Sequence, residues 1–278
     1  MMGAMAAFTF NDTLIKAIGT SLPLSQILVL RGAMASLLIY AFARYQGSLH
    51  LRLDRRDWGL VALRCLAEGG ATFLFLTALM RMPIANITAV LQMLPLTVTL
   101  GAALLFKEAV GWRRMLAILV GFCGMLLIVR PGPEGFDAAS LYALGAVACV
   151  TLRDLVTRRM SAAVPSMTVT VLASLSVLMF GIGYSFFQDW APVSAGQLSL
   201  LAGAACIILL GYLCSVMAMR VGDVAVVSPF RYTGLLWALI LGWLVFGDWP
   251  DVLTLMGGSL VVGAGLFTLY RERQQARR

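Results

Sequence analysis

Charge is scarce in this 278-residue chain: Asp, Glu, Lys and Arg together make up 12% of it. A soluble domain averages about 25%. Sixty per cent of the residues are hydrophobic instead. A globule that apolar has too few polar groups to cover its surface, which excludes water as the solvent for most of the exterior. Histidine occurs once, at His50, in a basic stretch. One histidine is too few for a His-Glu-x-x-His metal site, and its place in a loop suits no Ser–His protease. His50 is read as a solvated loop residue. The chain has no Gly-x-x-x-x-Gly-Lys-Ser/Thr phosphate loop, so ATP-driven work within it is not expected. Cys65, Cys123, Cys149, Cys206 and Cys214 show no Cys-x-x-Cys spacing and fall in apolar runs, as small packing residues do. Neither a metal nor a cofactor is expected.

Apolar runs are abundant. A membrane span needs ~20 mostly apolar residues to cross ~30 Å of hydrocarbon. Ten such runs are present, at roughly 3–21, 24–43, 58–80, 84–106, 114–130, 138–157, 166–187, 198–219, 224–246 and 252–270. They are continuous, not alternating, which points to helices and away from a membrane β-barrel. The predicted fold class is an all-α membrane protein. The start, Met1 to Thr20, lacks a basic leader and is read as a retained helix. The gaps are too short for a soluble domain.

Basic residues distinguish the two sides of the membrane. Arg44, Arg52, Arg55, Arg56, Lys107, Arg113, Arg114, Arg158, Arg159, Arg220, Arg271, Arg273, Arg277 and Arg278 fall in loops or a tail on one side; Arg81 and Arg130 fall on the other. Cytoplasmic loops are rich in Lys and Arg, so both termini are predicted cytoplasmic. This topology accounts for the net charge of +8 without a nucleic-acid partner. Trp58, Trp112, Trp190 and Trp249 lie at predicted span ends, where aromatic belts form.

The halves resemble each other. Asp12, Lys16 and Pro23 recur as Asp154, Arg158 and Pro165. Arg81 recurs as Arg220, and Leu104 to Glu108 as Leu244 to Asp248. The linker from Arg130 to Gly135 marks the join. Residues 1–132 and 133–278 are read as two five-helix repeats of one membrane domain. An odd number of spans inverts the second copy, an arrangement used for alternating access in secondary transporters.

Further residues carry a family resemblance over nearly the whole chain. Arg31-Gly32 opens the second span. Pro95 leads an apolar run to Phe106-Lys107-Glu108, followed by Gly121, Gly124 and Arg130-Pro131-Gly132. The second half has Ser228-Pro229-Phe230-Arg231-Tyr232, then Gly242 to Asp248, then Gly257 and Gly263. In this order and spacing the chain resembles the drug/metabolite transporter superfamily, specifically its ten-helix EamA family. The nearest resemblance is to YddG-type amino-acid exporters. The family pattern usually has Glu where this chain has Asp248. The resemblance implies a bacterial inner-membrane carrier of amino acids or related metabolites, working as an exporter. The Ser228–Tyr232 stretch also resembles relatives that import S-adenosylmethionine. The expected partners are a small-molecule substrate and the lipid bilayer, with proton coupling left open and the chain a monomer or weak homodimer.

A charge at mid-bilayer costs ~2.5–3.5 kcal/mol on translocon scales, so ionisable residues inside spans are candidates for function. There are eight: Asp12, Lys16, Arg31, Arg64, Glu68, Arg153, Asp154 and Arg231. A zwitterion needs a cation for its carboxylate and an anion for its ammonium. Arg64 or Arg231 suits the first role; Glu68 or Asp12 suits the second. Asp12/Lys16, Arg64/Glu68 and Asp154/Arg158 stand four apart on one helix face, so each pair can also neutralise itself; the inverted placement of Asp12/Lys16 and Asp154/Arg158 also suits gates. Arg31 is read as a brace or snorkelling residue. Gln92, Tyr212, Tyr232 and Trp237 are candidate cavity-lining residues; ordinary packing is the alternative for each. Pro95 removes a backbone hydrogen bond in the fourth span and is a candidate hinge. Gly121, Gly124, Gly257, Gly258, Gly263 and Gly265 suit close helix packing. An enzyme is not expected: Asp12 and Asp154 each have a cation one turn away, which favours ionised carboxylates over a proton-sharing pair. A channel or lipid flippase is the other membrane class, separable from a carrier by counterflow.

Overall fold

The structure is a computed structural model. It describes residues 1–47, 53–107, 111–129, 138–161, 164–221 and 227–276. The described residues form helices joined by short turns, with no strand among them. In chain order the helices are α1 (Met2–Ile18), α2 (Leu24–Tyr45), α3 (Arg55–Leu79), α4 (Ile84–Leu91), α5 (Leu94–Phe106), α6 (Trp112–Val129), α7 (Ala138–Arg159), α8 (Ser166–Ser185), α9 (Ala195–Val221), α10 (Thr233–Phe246) and α11 (Val252–Ala276). A 3₁₀ helix, Ser228–Tyr232, leads into α10. Among the described residues nine segments are long and apolar enough to span a membrane, with α4–α5 counted as one and α10 counted from Pro229. The 17 residues of α1 make the tenth helix. His50, Glu108, Arg130 and the linker that follows lie outside the described residues.

Prolines set where several helices begin. Pro23, Pro83 and Pro165 stand just before α2, α4 and α8 with extended or near-extended backbones, because proline has no N–H to continue a preceding helix. Glycine ends α10: Gly247 adopts φ 70° and donates to the carbonyls of Gly242 and Trp243, the left-handed stop that only glycine takes without strain. At the corresponding end of α5, Lys107 takes the same left-handed region at φ 55°.

Two expected spans depart from regular helix. The fourth breaks at Gln92–Met93, two residues before Pro95, so the proline opens α5 instead of kinking one long helix. The ninth opens as a 3₁₀ turn containing Pro229. Breaks at membrane depth persist where other protein groups satisfy the freed backbone. Gln92 does so here: its Nε2 donates to the Tyr232 carbonyl at 3.4 Å, which ties one break to the other.

The main packing pairs are α1 with α9, α3 with α7, α2 with α8, and α6 with α11. The last pair is close because of its glycines. A Cβ on Gly124 would stand 2.7 Å from the Gly257 carbonyl oxygen, and a Cβ on Gly257 would meet the Gly124 oxygen in turn. Lipid tails are as apolar as side chains, so such contact, not the hydrophobic effect, holds spans together. Gly257→Leu is expected to lower stability by about 1–3 kcal/mol through overpacking, read as a lower melting temperature in detergent.

The large buried side chains gather toward the face opposite the termini: Ile15 and Ile18 at the end of α1, Ile27 at the start of α2, Leu76 and Leu79 at the end of α3, Leu201 early in α9. Hydrogen bonds seal that face. Gln26, 1% exposed, donates to the Ala191 carbonyl at 2.8 Å and accepts from the Ala191 N–H at 3.0 Å. The Ser25 N–H donates to Gln188 Oε1 at 3.1 Å. Gln197 Nε2 donates to Ser21 Oγ at 2.9 Å. The half of the molecule nearer the termini encloses a cavity.

Candidate functional site

The cavity has two lobes that share Arg31, Glu68, Thr72, Ile208 and Tyr212. The first lies between α2, α3, α8 and α9; Arg64, Thr170 and Ser174 are on its wall. The second brings Phe8 and Asp12 of α1 together with Phe75, Arg153 and Arg231. Lobes of this kind, mostly apolar with a few converging polar groups, suit small-molecule ligands.

Glu68 stands at the centre. Its carboxylate meets Arg64 Nη2 at 3.6 Å, one helical turn away, and Arg153 Nη1 at 3.3 Å across the interface with α7. Arg153 Nε also donates to Asp154 Oδ1 at 2.9 Å. Arg64 Nε donates to Thr157 Oγ1 at 3.1 Å. These contacts join α3, from the first half of the chain, to α7, from the second. Asp12 accepts from Asn11 Nδ2 at 2.8 Å and faces the second lobe.

Of the residues singled out from the sequence, Glu68, Arg64, Asp12, Tyr212 and Arg231 are brought together on this wall. Others are placed apart. Tyr232 is buried between α10 and α11, its hydroxyl where a Cβ on Gly265 would be, and it borders a separate apolar groove. Trp237 packs on Phe10, ring centroids 6.5 Å apart, and is not among the cavity-lining residues. Gln92 braces the α4–α5 break, as described, and also lies off that wall. Pro95 borders a third groove with Arg114 and Arg158.

The four-apart pairs also divide. Arg64/Glu68 forms. Lys16 does not turn to Asp12: its Nζ donates to the Leu79 carbonyl at 3.1 Å and to the Met82 carbonyl, with the Phe246 ring 5.5 Å away. Those carbonyls lie at the C-terminal end of α3, where helix oxygens lack intrahelical partners and attract a cation. Asp154 takes Arg153, while Arg158 lies over the Phe106 ring at 5.7 Å. Lys16→Met is expected to cost about 1.5–3 kcal/mol, the usual worth of a charged hydrogen bond, measurable by thermal unfolding in detergent.

Arg31 and Arg153 are also on the cavity wall, although neither is among the zwitterion partners expected from the sequence. The signal available was their position: each is an arginine well inside an apolar run, and such residues turn to a partner or a wet cavity.

The family model described as EamA-like transporter family matches residues 1–130 and 138–270. A protein of Rickettsia prowazekii named S-adenosylmethionine uptake transporter is 25% identical over 98% of this chain and 91% of its own. A riboflavin transporter of Vibrio cholerae is 28% identical over 100% and 94%. A pseudopaline exporter of Pseudomonas aeruginosa is 28% identical over 95% and 93%. One solved crystal structure superposes with a TM-score of 0.66 over 98% of this chain and 97% of its own, at 20% identity, a likeness of fold.

Proposed function

Because this multi-pass membrane chain belongs to the EamA-like transporter family, we propose that it is a secondary carrier for metabolites with an amino-acid head group. It moves them across the bacterial inner membrane by alternating access between two inverted halves. The observation that carries this reading is the cluster at Glu68. One carboxylate is held by an arginine from each half, in a cavity that also offers Asp12 and Arg231. Asp12 and Glu68 suit an ammonium; Arg231 suits a carboxylate. Such charge-assisted contacts are stronger than neutral ones.

Inversion is supported by one family model matching both halves. It is supported too by two clamps in corresponding positions: Lys16 over Phe246 at 5.5 Å and Arg158 over Phe106 at 5.7 Å. With the basic loops on the cytoplasmic side, the termini are cytoplasmic and the cavity lies toward the side from which an exporter loads. Export is therefore the direction proposed. The Rickettsia relatives favour a second reading, uptake of S-adenosylmethionine-like metabolites.

The test is counterflow. Purified protein in liposomes preloaded with unlabelled amino acid should accumulate the labelled compound transiently and saturably. Steady electrical conductance without counterflow would make it a channel instead.

A further inference from the structure

Among the described residues, the charges lining the cavity do not balance. Arg31, Arg64, Arg153 and Arg231 line it against Asp12 and Glu68, with Asp154 bound to Arg153. Four guanidiniums against three carboxylates leave one positive charge in excess, and arginine keeps its charge at any physiological pH.

The first lobe is lined by more cations than acids, with Arg31 also interacting with Asp12 of the second lobe. There Arg31 and Arg64 are the cations and Glu68 is the one acid. Glu68 is already shared between Arg64 and Arg153. Arg64 Nη1 is buried with no hydrogen-bond partner among the described residues, and a buried donor left unpaired is costly. Thr72 and Tyr212 bring hydroxyl groups to the same wall.

We infer that this lobe is a carboxylate subsite, so that the transported metabolite carries a net negative charge: an amino-acid head group plus a second carboxylate. The inference rests on the carrier reading above and narrows its substrate class. A second carboxylate beside Arg31 and Arg64 gives Nη1 its acceptor and cancels the excess charge. A net cation such as S-adenosylmethionine adds to the excess, in a cavity where charges are screened less than in water. Discrimination by such repulsion is a common route to specificity.

The experiment compares counterflow of labelled L-glutamate, L-phenylalanine and S-adenosylmethionine in proteoliposomes. Glutamate is expected to exchange at least tenfold faster than the other two, a difference of about 1.4 kcal/mol. In Arg64→Gln the ratio of glutamate to phenylalanine exchange should fall to about one. Ser174→Asp, which adds a carboxylate to the lobe, should lower the same ratio without removing an ion pair, and melting curves check that both variants fold. Phenylalanine or S-adenosylmethionine exchanging as fast as glutamate overturns the inference and leaves the carrier reading standing. So does an unchanged ratio in both folded variants. Exchange of none of the three compounds overturns both.

Discussion

Glu68→Gln is expected to reduce counterflow at least 100-fold while the protein stays folded. Glutamine keeps the size of the side chain and an acceptor oxygen. It removes the negative charge that Arg64 and Arg153 share at 3.6 and 3.3 Å. With that charge gone, the two guanidiniums repel each other and no longer hold one geometry around the cavity. The ammonium of a substrate also loses one of its two carboxylates. A hundredfold change corresponds to about 2.7 kcal/mol, well within what one charged group contributes at a partly buried site. The measurement is the initial counterflow rate per folded protein, with folding checked by size-exclusion profile and melting temperature. Wild-type exchange in the folded variant would remove Glu68 from the mechanism.

Arg153→Gln is expected to act on stability as well. Breaking a buried ion pair by deleting one partner costs about 3–5 kcal/mol, because the remaining charge stays buried and unpaired. The cost here should lie at or below the lower end of that range, since 26% of the Arg153 side chain is exposed. Both Glu68 and Asp154 lose a partner. The double variant with Glu68→Gln should lose less stability than the sum of the two single changes, because the Glu68–Arg153 pair can be lost only once. It should not restore transport. A melting temperature above the additive expectation, with counterflow still absent, would separate the two roles of this cluster. Additive losses of stability would mean the two residues do not interact.

Much of the fold was legible from the apolar runs. Most helices lie within a few residues of their expected spans, because ~20 apolar residues between polar turns have few alternatives in a bilayer; α10 is the exception, beginning at Thr233 against an expected start near 224. The break at Gln92–Met93 was legible only as a weakness at Pro95. A proline reveals which hydrogen bond is lost, and not how the neighbouring turn rearranges. The site was half legible. Glu68, Arg64 and Asp12 stood out because intramembrane charge is costly. Lys16 departs from its expected pairing with Asp12 for a different reason: spacing of four shows which residues share a helix face, but not what another helix brings to it. Here α3 brought two bare carbonyls, and these captured the lysine. Tyr232 and Trp237 are large aromatics that fill space between helices as readily as they line a cavity. Rotation of α10 against its neighbours decides between the two, and local sequence does not determine that rotation.

The seal on the face opposite the termini, built by Gln26, Ser25, Gln188 and Gln197, is made of neutral groups. Mobile ions screen interactions between exposed charges farther apart than a Debye length of ~8 Å at physiological salt, and an amide bonded to a backbone carbonyl gives them little to screen. Salinity on that side of the membrane should therefore leave the hydrogen bonds of this face unchanged. The charged centre at Glu68 is different: salt that enters the cavity competes with substrate directly. A transporter built this way is expected to answer to the composition of the compartment its cavity faces and to be indifferent to the ionic strength of the other.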